Sequence, residues 1–191
     1  MWKLAPSRNN ERVDTLRGQL LVASPSLLDP NFRRTVVLVT EHTDEGAAGL
    51  VLNRPSEVAV EDVVPQLDWL AEPETRVYLG GPVEQNAVLV LAEFGDLADS
   101  PVPVFGNLGF VALDDATVAV DVRRKRVFAG YAGWAGGQLE AELGREDWIL
   151  EEARPDDVFG EEPGGLWAAV LQRKGGVYSL VARMPEDPSV N

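Results

Sequence analysis

Two apolar runs flanking a short turn signal constrain this chain more than any other feature. Residues 35–41 (TVVLVTE) and 48–53 (AGLVLN) are nearly unbroken in apolar character, and Asp44-Glu45-Gly46 lies between them. Runs of this length, rich in β-branched side chains, favour strands over helices. Because apolar residues follow one another instead of alternating with polar ones, such strands need cover on both faces. The spacing predicts a buried antiparallel hairpin with Val37, Leu50 and Leu52 in the core. It also puts His42 at one end of the hairpin and Asn53-Arg54 at the other. A chain of 191 residues is long enough to bury roughly 70% of its unfolded surface, so one core can supply that cover.

The rest of the chain reads as more strands than helices. Residues 19–23 form a strand, after which Asp29 caps a one-turn helix with Pro30 at its first position. Residues 61–70 have helical spacing interrupted by Pro65. Residues 76–79 form a strand running into Gly80-Gly81-Pro82, and residues 87–93 return beside it. Residues 94–103 read as a surface loop, followed by strands at 109–113, 118–122 and 126–131. Gly136-Gly137 opens a helix through Leu143 that Gly144 caps, and Trp148-Ile149-Leu150 follows it. After a loop over 155–164, a helix over 165–173 ends at Gly175-Gly176, and residues 177–182 make a last strand. Strands without regular βα alternation indicate an α+β fold. Residues 1–17 are polar and aperiodic and are expected to be a flexible lead-in to one domain over 18–191.

Charge narrows the partners. Lys and Arg number 17 against 31 Asp and Glu, a net −14, so the mean field repels phosphate backbones and anionic lipid, and duplex DNA is not an expected partner. No apolar run nears the roughly 18 residues of a membrane helix. The N-terminal stretch lacks the apolar segment and small-residue site of a secretory signal, and the chain has no cysteine; cytoplasmic location is the expectation. No cofactor is implied: there is no Gly-x-Gly-x-x-Gly, no Walker-type Gly-Lys-Ser/Thr and no thiolate metal spacing.

Four segments carry a specific resemblance: GQLLVASP from Gly18, HTDEGAAGLVLNRP from His42, GGPV from Gly80 and GYAGWAGGQLEAE from Gly130. In order and spacing the chain resembles the AlgH/YqgE family of small bacterial proteins. The resemblance implies a bifurcated, mostly antiparallel sheet curled into a pseudo-barrel and flanked by helices. It implies no established catalytic activity; a transcriptional-regulator role is the one proposed for the family. Ala132 stands where the family usually has a small hydroxyl residue, which weakens any serine chemistry at that point.

The side chains suggest three functions. The first is a binding or regulatory module for a small anionic ligand or a protein partner. Its candidate residues are Asn53 and Arg54, with a two-pronged donor for an anion or, as favoured, for an ion pair to a nearby acid; Gly80 and Gly81, an anion nest or, as favoured, a tight corner; and Trp134, Gly137, Gln138 and Glu140, an aromatic face beside a helix start. The second is an enzyme using His42, the only histidine, as general base with Asp44 and Glu45 close behind; a strand-end histidine capping its turn is the blander account. The third is a regulator using the basic run Arg123-Arg124-Lys125-Arg126, which is expected to form a solvated turn between two strands. Trp148 and Trp167 are expected to be core anchors. No metal site is expected, because one imidazole with local acids is not a zinc spacing.

Overall fold

A computed structural model describes residues 15–63, 75–96, 100–113 and 121–185. The hairpin forms as its composition requires: β2 (Val36–Thr43) and β3 (Gly46–Val51) pair antiparallel around Asp44–Glu45, with Val37 opposite Val51 and Leu38 opposite Leu50. Strand β1 (Gln19–Ala23) joins the other edge of β2. Val37, Leu38, Leu50 and Leu52 are all buried. These strands are covered on both faces, the physical reason they show no polar alternation.

The remaining strands are β4 (Pro55–Ala59), β5 (Arg76–Leu79), β6 (Val83–Phe94), β7 (Val102–Phe105), β8 (Leu108–Phe110), β9 (Val122–Ala135) and β10 (Trp148–Glu152). They form a ten-stranded sheet in the order β10-β1-β2-β3-β9-β6-β8-β7, with β5 and β4 branching from β9. The long strand β9 makes the branch. One end pairs with β3, Gly46 opposite Ala135, while the other pairs with β6 and runs parallel to β5. The sheet is mostly antiparallel and does not close, and the short helices α1 (Val60–Val63), α2 (Gln138–Gly144), α3 (Pro155–Phe159), α4 (Leu166–Lys174) and α5 (Tyr178–Val181) flank it. This is the α+β class expected.

Apolar side chains segregate to both sheet faces. Leu20, Val22, Leu38, Leu52, Phe128 and the α4 residues Trp167, Val170 and Leu171 share one cluster. On the reverse face, Leu21, Val37, Val39, Val51 and Trp134 pack with Leu139 of α2 and Trp148. A third cluster joins Val60, Val77, Val90, Phe94 and Val127 behind the β6–β9 half.

Several local expectations are corrected. Residues 76–79 and 87–93 do not pair, because β9 lies between them. The basic run is not a turn: β9 is continuous from Val122, so Arg123 to Arg126 sit inside a strand. Strand β6 extends through Phe94 and β7 begins at Val102, which shortens the loop expected over 94–103. Pro155 at the first turn and the Asp157 side chain on the Arg154 N–H start α3 within the expected loop 155–164. Residues 177–182 are helical, not a strand. Gly175 and Gly176, both at positive φ, reverse the chain so that Tyr178 and Val181 pack against the core beside α4; this packing overrides β propensity. Around Asp29 the chain makes hydrogen-bonded turns, with the Asn31 N–H on the Asp29 carboxylate, in place of a helix. Gly144 is the last residue of α2, and Arg145 is its cap. Most of the expected helix 61–70 and strand 118–122 lies outside the described residues. Residues 1–14 of the expected lead-in lie outside the described residues; the Leu16 N–H donates to His42 and its carbonyl accepts from the Gln19 N–H.

Candidate functional site

The structure divides the candidate residues between two places. At the turn end of the hairpin, β2 carries His42 and the first turn of α2 carries Glu140. Their Nε2 and Oε1 atoms lie 2.7 Å apart, and the His42 side chain is only 7% exposed. The Leu16 N–H donates to the other ring nitrogen, Nδ1, at 3.2 Å. A neutral imidazole has one donor and one acceptor, so the bond from Leu16 assigns the proton to Nε2, which donates to Glu140. Both positions are then committed, leaving no lone pair for a substrate proton. The partner carboxylate comes from Glu140, 98 residues away, and not from neighbouring Asp44 or Glu45.

Glu140 also accepts from its own backbone N–H. That bond and the one from His42 hold its carboxyl below the ordinary glutamate range, against a smaller opposing effect of burial. The protein's own carboxylate therefore occupies the positive end of α2, where an outside anion was expected. Gly137 precedes α2 at φ 76°, and a Cβ there would meet nothing within 4 Å; its requirement is conformational. Gln138 is spent locally: Oε1 accepts from the Ala135 N–H and Nε2 donates to Glu142.

Trp134 does not offer an aromatic face. The residue is 6% exposed, and its ring packs 6.2 Å from Phe32 and 6.1 Å from Trp148, centroid to centroid. Its indole N–H and that of Trp148 both donate to Oε2 of Glu142 at 2.8 Å. Sequence reasoning passed over Glu142; two tryptophans flanking an acidic helix were the available signal.

Asn53, Arg54, Gly80 and Gly81 gather at the opposite end of β3. Trp134 pairs with Ala47, and the seven steps from Ala47 to Arg54 span about 23 Å if extended, so Arg54 does not complement anything at Trp134. Asn53 is a strut: Oδ1 accepts the Val36 N–H and Nδ2 donates to the Arg34 carbonyl. Gly80 bridges two strands, since the Val51 N–H donates to its carbonyl and its own N–H donates to Ala129. A Cβ on Gly80 would lie 2.2 Å from the Gly130 oxygen, and one on Gly81 2.1 Å from the Tyr131 carbonyl carbon. Close packing at a corner accounts for both glycines. Arg54 is half-buried, and its guanidinium donates at 2.6 Å to the Arg33 carbonyl. No carboxylate among the described residues pairs with it.

Two members of the basic run, Arg124 and Arg126, are occupied internally, while Arg123 is exposed. Arg124 bonds Glu93 at 2.6 Å and Asp156 at 2.7 Å, which raises its pKa further above neutrality. Arg126 stacks 4.2 Å over Tyr78 and donates to the Gly160 carbonyl at the end of α3; burial pushes its guanidinium below the ordinary arginine range. No group of three or more metal-ligating side chains occurs among the described residues. No helix among them is long and apolar enough to cross a membrane.

An open sheet forked at one long strand, with its lone histidine tied to a helix carboxylate and a glycine-arginine corner at the far end, defines a distinct class of small α+β protein. The chain belongs to the AlgH-like family, whose model matches residues 20–179. It is 44% identical over 190 residues to a UPF0301 protein of Thermobifida fusca, covering 93% of this chain and 96% of that one. It is 45% identical over 195 residues to one from Mycobacterium tuberculosis, covering 98% and 95%. Among solved structures, protein DIP2367 of Corynebacterium diphtheriae superposes with a TM-score of 0.80 at 29% identity, covering 94% of this chain and 95% of that one. The AlgH protein of Pseudomonas aeruginosa superposes at 0.70 and 32% identity, covering 93% and 98%. Neither the family description nor these names state a reaction.

Proposed function

We propose that the chain is a cytoplasmic, non-catalytic binding module that takes an anionic group at the Arg54 corner. The observation carrying this reading is the state of Arg54: a partly buried residue whose solvent-facing guanidinium has one carbonyl partner and no described carboxylate, in a chain of 31 acidic residues. A planar five-donor group so placed keeps donors for a carboxylate or phosphate. The enzyme reading loses support because both His42 nitrogens are engaged. The DNA-regulator reading loses support because Arg124 and Arg126 bond within the fold.

Titration with citrate, followed by the backbone amide signals of Arg54, Leu79 and Gly81, tests the reading. A saturable shift is expected, weakened about tenfold in Arg54→Ala, roughly the 1.4 kcal/mol of a charge-assisted hydrogen bond. Absence of saturation, or equal binding by the variant, defeats it.

A further inference from the structure

The C-terminal hairpin of helices differs in chemistry from the rest of the chain. Residues 163–185 contain no Asp or Glu, although 31 of the 191 residues are acidic and Glu186 and Asp187 follow directly in the sequence. Within that stretch the backbone from Val177 to Met184 winds in successive helical turns, which brings residues 177, 180 and 184 onto one side. These are Val177, Leu180 and Met184, exposed by 66%, 67% and 46%. Tyr178, Val181 and Ala182 on the other side reach the core. The outer side is thus an apolar stripe that no described residue covers.

Guanidiniums rim this stripe. Arg34 lies over Trp167 and donates to the Met184 and Pro185 carbonyls, so its charge stands beside the last member of the stripe. Arg54, bonded to the carbonyl of Arg33, belongs to the neighbouring corner and is not part of this rim. Arg183 adjoins Met184 and is exposed. Among the described residues no carboxylate pairs with Arg34 or Arg183. Arg173 and Lys174, by contrast, are matched by Asp157 and Glu151 and contribute little net charge outward.

We propose that this face docks an acidic amphipathic segment of a protein partner, apolar side chains on Val177, Leu180 and Met184 and carboxylates on the arginine rim. The proposal rests on the reading of the chain as a binding protein and names the partner's class. Charge complementarity selects that occupant. A second copy using the same face would set guanidinium against guanidinium. An anionic bilayer would lie against the acidic remainder of the molecule, net −14, whereas a short segment touches only the cationic rim and is screened from more distant charges by salt.

The test is selection of displayed random 16-residue peptides on the full chain, followed by anisotropy of the labelled winners. The expected winners combine Asp or Glu with Leu, Ile or Phe. Their affinity should fall about tenfold in Val177→Ser/Leu180→Ser and about threefold in Arg183→Ser, as for loss of apolar anchors and of a rim charge. Because the replaced side chains are exposed, the thermal melt should not move, which separates lost docking from lost folding. Neutral or basic winners, equal affinity for the double variant, or partition onto phosphatidylglycerol vesicles that the double variant abolishes would each overturn the proposal. If citrate shifts the Arg54 corner but no peptide survives selection, the docking face falls and the anion reading stands. If acidic peptides bind the stripe while citrate leaves Arg54 unmoved, the docking face stands and the anion reading falls.

Discussion

Glu142 and Glu140 sit two residues apart on α2 and do different work. Glu142 accepts two indole N–H groups on one oxygen and a Gln138 amide on the other, so replacing it strands buried donors on Trp134 and Trp148. Glu142→Leu should cost about 3 kcal/mol, from two donors at roughly 1–3 each, with partial relief from water. Urea unfolding of the variant measures it. Glu140 is more exposed, and its contribution shows in pH dependence. Its folded-state carboxyl titrates below the unfolded one because its own amide and His42 favour the charged form. The stability it supplies is therefore complete above the ordinary glutamate range and is lost as pH falls through the lowered folded value. Glu140→Gln should be less stable than the parent at neutral pH, and the difference should vanish in acid. A gap that stays constant across the titration would contradict the assignment.

At the scale of elements, the outer edge of β10, which pairs only with β1, is one of the sheet's open edges. Helix α4 guards it: Lys174 donates to the Leu150 carbonyl and Arg173 to the Glu152 carbonyl. Arg173 also grips Asp157 through two bonds of 2.7 and 3.0 Å, and the Asp157 side chain is 7% exposed. The same carboxylate caps α3 through the Arg154 N–H, so one ion pair links α3, α4 and the sheet edge. Arg173→Met would leave Asp157 buried without its counter-charge. The expected loss is about 3 kcal/mol, at the low end for a broken buried pair because Arg173 is partly solvated. Chemical denaturation checks the magnitude, and a change below about 1 kcal/mol, the size of an exposed pair, would refute it.

For the whole molecule, everything depends on β9 serving two halves of one sheet, with Gly80 wedged between β3 and β9 where the halves part. A Cβ there meets the Gly130 carbonyl oxygen, which belongs to a strand that cannot yield. Gly80→Ala should therefore cost about 3 kcal/mol, the upper range for overpacking, with Tm falling accordingly; an unperturbed melt would show that the corner has slack. Which parts of this were legible follows from how far each signal travels along the chain. The hairpin over 36–51 could be read because its evidence is local: β-branched runs, a turn, and continuous apolarity that demands cover on both faces. The start of α2 was equally local, set by Gly137. The AlgH-like motifs carried the α+β class and the forked sheet. The sequence was silent on what lies across from what. It could not say that Glu140 reaches His42, that Trp134 turns inward onto Glu142, or that the basic run lies inside β9 with Arg124 on Glu93 and Arg126 on Tyr78. Nor could it say that the last apolar run folds back as a helix and leaves Val177, Leu180 and Met184 outward. Hydrogen bonds and burial between residues tens of positions apart depend on the docking of whole elements, and only the tertiary structure decided them.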